Sequence, residues 1–195
     1  MRRVDPTNLS HRCSICGVFL ADCSCAELPR FAPRHEIVFL QHTAELLKPT
    51  NTARLACRIL SNARCLTWNR VETPPLGPNS LLIYPLAGAP ILEAGDLQQP
   101  RQIVLPDATW TQAARIANVL RSRGMPVATL PDEVRSRWGV REGGGATRVS
   151  SAEAAGFVLA LAGETQAARC LVDAVADIGR KIMAMRGLPW TGGQD

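Results

Sequence analysis

The chain has 195 residues, of which 46% are hydrophobic, enough for a real core and too apolar for a disordered chain. Its formal net charge is +5, and because Lys occurs only at Lys48 and Lys181, 20 of the 22 basic residues are Arg, which suits an anionic partner as well as it suits a GC-rich coding bias. The opening Met1-Arg2-Arg3-Val4-Asp5-Pro6 lacks the apolar core of a signal peptide and the longest apolar run, Ala154 to Gly163, is too short to span a bilayer, so the expectation is a cytoplasmic protein with reduced thiols and no membrane partner.

The first informative block is Cys13, Cys16, Cys23 and Cys25, spaced C-x2-C-x6-C-x-C. Four thiols within thirteen residues predict a tetrahedral zinc site, structural because protein fills all four positions. His11 is expected nearby and not as a ligand, and Cys57, Cys65 and Cys170 as small core residues without partner spacing. Glu36 to Gln41 predicts a strand. It leads into a loop bearing His42, Glu45, Asn51 and Arg54, and Asn51 or Thr52 caps a helix to about Leu60. Arg64 to Trp68 and Leu81 to Tyr84 predict two more strands, the second stopped by Pro85.

Ile103-Val104-Leu105 predicts a buried strand ended by Pro106, and Asp107 or Thr109 caps the helix that follows, which runs to about Arg123 with Gly124 as its stop. One carboxylate therefore falls in a strand-to-helix turn, where open α/β sheets bind their ligands. With Trp110 and Leu105 as apolar neighbours, Asp107 could serve as a base; on the local pattern it could also be only an N-cap beside a core Trp110. Val127 to Pro131 is a further strand-then-proline. The polar stretch Asp132 to Arg148, with Arg135, Arg137, Trp138, Arg141 and Gly143 to Gly145, has the length of a functional loop and the Arg and Trp content for RNA contact. Ser150-Ser151-Ala152-Glu153 is a capping box opening a helix to about Ala162, and a last helix covers roughly Thr165 to Arg186. Strands alternating with helices predict an α/β domain with a mostly parallel sheet flanked by helices, residues 31–195, behind a small N-terminal zinc module, residues 1–30.

Taken together and in order, these blocks resemble the DTW-domain family, the tRNA-uridine aminocarboxypropyltransferases. The matching residues are Cys13/Cys16/Cys23/Cys25, His42-x-x-Glu45 with Asn51-Thr52-Ala53, Leu82-Ile83-Tyr84-Pro85, Asp107-Ala108-Thr109-Trp110, and Ser150-Ser151-Ala152-Glu153-Ala154. Thr43, Ala53 and Ser151 stand where the family has Pro, Gly and Thr. The resemblance implies a knotted fold related to the α/β methyltransferases, S-adenosylmethionine as co-substrate, and transfer of its 3-amino-3-carboxypropyl group to N3 of a uridine in tRNA. It implies Asp107 as the catalytic residue, by taking the N3 proton or holding the base. Leu82, Tyr84, Pro85, Thr109, Trp110, Ser150, Ser151 and Glu153 would hold the donor. His42, Glu45, Asn51, Thr52, Arg54, Arg135, Arg137 and Arg148 would meet the RNA. Two other functions fit the same residues: a knotted-fold methyltransferase with the same donor, and a non-enzymatic zinc-containing RNA-binding adaptor.

Overall fold

The computed structural model describes residues 11–46, 48, 50–69, 74–140 and 149–192. The elements in chain order are β1 (Glu36–His42), α1 (Thr52–Ile59), β2 (Ala63–Trp68), β3 (Ser80–Ile83), β4 (Gln102–Asp107), α2 (Trp110–Ser122), β5 (Val127–Ala128), α3 (Ser151–Leu161) and α4 (Thr165–Met185). Among the described residues these strands pair in parallel, and the sheet order is β2-β1-β4-β3-β5. The expected mostly parallel α/β architecture is what the chain adopts.

Parallel sheets are covered on both faces, which is why β1 is apolar from Ile37 to Leu40 and β4 from Ile103 to Leu105, with polar residues only toward their ends. Period-2 alternation sends Ile37, Phe39, Ile103 and Leu105 to one face, where they join buried residues of α1, α3 and α4. Val38, Leu40, Leu82 and Val104 go to the other, under α2. The cysteine-rich segment is part of the first cluster: Cys16, Val18 and Cys25 pack into it, Lys181 of α4 donates to Ser24 Oγ at 3.2 Å, and Arg12 Nη1 reaches Gly17 O at 3.1 Å.

Pro106 does not end β4, contrary to the sequence expectation. The Glu36 N–H donates to Arg101 O and the Gln102 N–H donates to Asn79 O, so odd residues of β4 face β1 and even residues face β3. The missing N–H of Pro106 therefore falls on the β3 side, where pairing stops at Leu82–Val104, while the β1 ladder continues to Gln41–Asp107. Asp107 is thus the last strand residue, carried on the α1/α3 face. The α2 cap is Thr109, whose N–H and Oγ1 both donate to Gln112 Oε1, at 3.1 and 2.8 Å. Gly124, with φ of +86°, ends the helix as expected.

Trp138 is also not where its sequence suggests. It is 4% exposed and lies in the core, seated on Gly179 of α4, where a Cβ would collide with the Trp138 carbonyl. That close approach holds the 136–140 segment against α4 and withdraws the indole from any RNA contact.

Candidate functional site

The carboxyl ends of β1 and β4 lie side by side, and the starts of α1 and α3 converge on them. The Asp107 carboxylate, in a residue 2% exposed, is the point where they meet. Its Oδ2 accepts from Gln41 Nε2 at 2.9 Å and from Asn51 Nδ2 at 2.5 Å, and its Oδ1 accepts from Ser151 Oγ at 2.7 Å. Asn51 uses its other end as the α1 cap, with Oδ1 accepting from the Arg54 N–H at 3.2 Å. Thr52 Oγ1 accepts from the Ala152 N–H at 3.4 Å, tying the two helix starts directly. Three donors on one carboxylate fit its ionised, acceptor-only form.

The expected apolar surroundings of Asp107 are therefore absent on its oxygens. Trp110 stands on the other face of the sheet, its ring 6.0 Å from that of Tyr84, whose hydroxyl donates to Trp110 O at 3.2 Å. The reason is the pleat: Asp107 follows Leu105 onto the α1/α3 face, while Trp110 starts the helix that covers the opposite one.

Several residues assigned from sequence are spent inside the fold. Leu82 is 0% exposed, in the middle of β3, and cannot touch a ligand with its side chain. Glu153 is 4% exposed, and its carboxylate accepts from Ser136 Oγ, from the Arg137 N–H at 2.5 Å and from the Ser150 N–H at 2.6 Å, so it anchors the 136–137 backbone and faces no ligand. Glu45, Asn51 and Thr52 are buried too, Glu45 pairing with Lys48 at 2.5 Å, which removes all three from any polynucleotide surface. Among the remaining residues assigned to RNA, His42 is half-buried and caps the 3-10 turn Thr43–Glu45, its Nδ1 accepting from the Ala44 N–H at 3.1 Å. Arg54 donates to Lys48 O at 2.6 Å, Arg137 pairs with Asp173 at 2.9 Å, and Arg135 is exposed. Arg148, with Arg141 and the glycines at 143–145, lies outside the described residues. Along the strand ends, Pro85 and Thr109 are exposed and Trp110, Ser150 and Ser151 half-buried. Two cavities, of about 350 and 270 Å³, lie elsewhere, one beside Gly77, Leu120 and Gly124, the other between Ser24, Leu28 and α4.

Gln41 escaped the sequence reading. Its signal was present: the alternation Ile37, Phe39, Gln41 puts one polar residue at the end of an apolar face, and the parallel register sets it opposite Asp107. Cys57 and Cys65 were expected to be unpartnered, yet their sulfurs are 3.6 Å apart, because α1 folds back on β2.

The sulfurs of Cys13, Cys16, Cys23 and Cys25 all lie within 4.8 Å of one another, with Cys16 and Cys23 3.7 Å apart. Zn–S bonds of about 2.3 Å set tetrahedron edges of about 3.8 Å, so the group could hold a metal ion with little movement. The Ile15 and Cys25 N–H groups point at the Cys13 and Cys23 sulfurs, each at 3.4 Å. Burial opposes ionisation of Cys13, but the N–H groups of Cys16 and Ile15 and the neighbouring thiols outweigh it and bring the thiol down to about 7. Burial pushes Cys16 up to about 11 and also raises Cys25, charges that a bound cation would offset. His11 is not in the group.

A family model described as DTW domain matches residues 10–180. A curated relative, tRNA-uridine aminocarboxypropyltransferase 2 of Drosophila melanogaster, is 30% identical over 126 residues, covering 57% of this chain and 50% of the relative, so the chain spans about half the length of the protein it matches. No solved structure matches the chain.

Proposed function

The chain belongs to the DTW-domain family, and from that premise we propose that it is a tRNA-modifying transferase that moves the 3-amino-3-carboxypropyl group of S-adenosylmethionine to N3 of a uridine in tRNA. The observation that carries this reading is the convergence on one buried carboxylate of three motifs far apart in sequence: the β1 end and 51–54 block, Asp107, and the Ser150–Glu153 helix start. A structural carboxylate rarely gathers the starts of two helices at the carboxyl edge of a parallel sheet, where such folds bind ligands. That arrangement also argues against an RNA-binding adaptor, which has no use for it.

When bound, the donor supplies a sulfonium with three carbons open to attack, and the carbon held in line with the nucleophile is the one that reacts. The residues open at the strand ends fit a ligand with an aromatic base and a polar tail: Pro85 and Trp110 as a platform, backed by the buried Tyr84, with Thr109 and Ser150 as polar partners. Asp107 is the residue we assign to the fate of the uridine N3 proton. Arg135, His42, Arg54 and Arg148 would meet tRNA, through phosphates and shape. A zinc ion on the four cysteines would be structural, with residues 1–30 forming a small module on the catalytic domain, residues 31–195.

The test is mass spectrometry of nucleosides from tRNA incubated with the protein and S-adenosylmethionine. A uridine carrying an aminocarboxypropyl group is the expected product. A methylated nucleoside would replace this reading by the methyltransferase, and unchanged tRNA would refute both.

A further inference from the structure

We propose that Ser151, not Asp107, is the group that takes the proton from the substrate N–H, and that Asp107 receives the serine's own proton behind it. This deepens the reading above and rests on it.

Asp107 does not meet the solvent. Two of its three hydrogen-bond donors, Gln41 and Asn51, are 4% and 3% exposed, and both saturate Oδ2. Among the described residues, Oδ1 accepts only from Ser151 Oγ. Ser151 is half-buried, the one partner of the carboxylate among the described residues that is not buried. A group approaching Asp107 from outside therefore meets Ser151 first.

A hydroxyl has one proton and two lone pairs. With its proton committed to Asp107, Ser151 presents lone pairs outward and acts as an acceptor for an N–H. Ser150 cannot stand in for it, because its Oγ is occupied as the α3 cap, accepting from the Glu153 N–H at 3.3 Å. The titratable groups that sense the Asp107 charge are the Cys57 and Cys65 thiols, on α1 and β2, and Arg54 is turned to the Lys48 carbonyl. Among the described residues none of them hydrogen-bonds the carboxylate.

The step balances without an added reagent. The uridine N3–H bond breaks and its proton goes to Ser151 Oγ as the serine proton passes to Asp107 Oδ1. The N3 electron pair forms the new N–C bond while the donor's C–S bond breaks onto sulfur. Asp107 ends neutral and releases its proton to solvent through the same serine.

The experiment uses the full chain with tRNA, comparing Ser151→Ala and Ser151→Thr in single-turnover rate across pH and in S-adenosylmethionine affinity by calorimetry. Ser151→Ala should lower the rate by roughly a hundredfold to ten-thousandfold, the range for loss of a proton-transfer group, with donor affinity within about threefold of wild type. Ser151→Thr keeps the hydroxyl and should stay within about tenfold of wild type. The rate of the Ala variant should climb about tenfold per pH unit, closing on wild type, because uridine already ionised by solvent needs no acceptor. A packing role would show neither the Thr rescue nor the pH slope. Wild-type turnover in Ser151→Ala overturns the relay alone. A rate loss matched by equal loss of donor affinity also overturns it, because the hydroxyl would then receive the donor's ammonium N–H. Absence of modified uridine with wild-type protein defeats the transferase reading itself, and the relay with it.

Discussion

Replacing Asp107 by Ala should cost far more stability than loss of an exposed turn residue. The substitution leaves the buried Gln41 and Asn51 amides without their acceptor, while the Ser151 hydroxyl can turn to water. Each orphaned buried donor costs about 1–3 kcal/mol, so the pair costs about 4 kcal/mol. A chain of this length loses about 2–4 °C of Tm per kcal/mol, which predicts a fall of roughly 10 °C. Asp107→Asn is milder. Its carbonyl oxygen can accept from both amides and its NH₂ can donate to Ser151, so only the charge assistance is lost, about 2 kcal/mol or roughly 5 °C. Urea denaturation and calorimetry on the two variants give these numbers directly. An Ala variant that melts within about 2 °C of wild type would refute the role of the carboxylate as the clamp of α1 and α3. Both variants should lose turnover by roughly a hundredfold or more, the Asn variant while it remains folded.

Elemental analysis of protein purified under reducing conditions should find one zinc per chain, and Cys13→Ser or chelation should lower Tm and tRNA affinity while largely sparing donor binding; metal-free protein of unchanged stability would count against the site. His35 is fully buried, its Nδ1 accepting from the Arg101 N–H at 3.2 Å, and burial together with Arg34 holds its pKa below the ordinary value of about 6.5. The folded state thus resists a proton that the unfolded chain accepts, so this contribution is present above about pH 6.5 and is lost as pH falls below it. Melting curves from pH 7.5 to 5 should show that loss, and His35→Gln should flatten it. Affinity for tRNA should fall steeply with salt, and Arg135→Ala should reduce the slope of log affinity against log salt by about 1; a flat salt dependence would remove phosphate contact from the binding.

The sequence by itself determined the elements, because the signals that make them are local. Apolar runs of strand length, Pro85 and Gly124 as stops, Asn51 at one helix start and the Ser150–Glu153 capping box at another each act within a few residues. The cysteine cluster was legible for the same reason, its four sulfurs coming from thirteen consecutive residues. The environment of Asp107 was not, because its partners lie 66, 56 and 44 residues away and reach it only when β1, α1 and α3 assemble around β4. The same holds for Glu153, whose capping role is local but whose hold on Arg137 is tertiary, and for Cys57 and Cys65, brought together by the packing of α1 on β2. A short-range pattern fixes which face of a strand a side chain takes once that strand's register is known, and register is set by whole strands pairing in a sheet. Only the assembled sheet therefore decided that Asp107 faces three hydrogen-bond donors and not Trp110, and that the half-buried Ser151 is one of those donors.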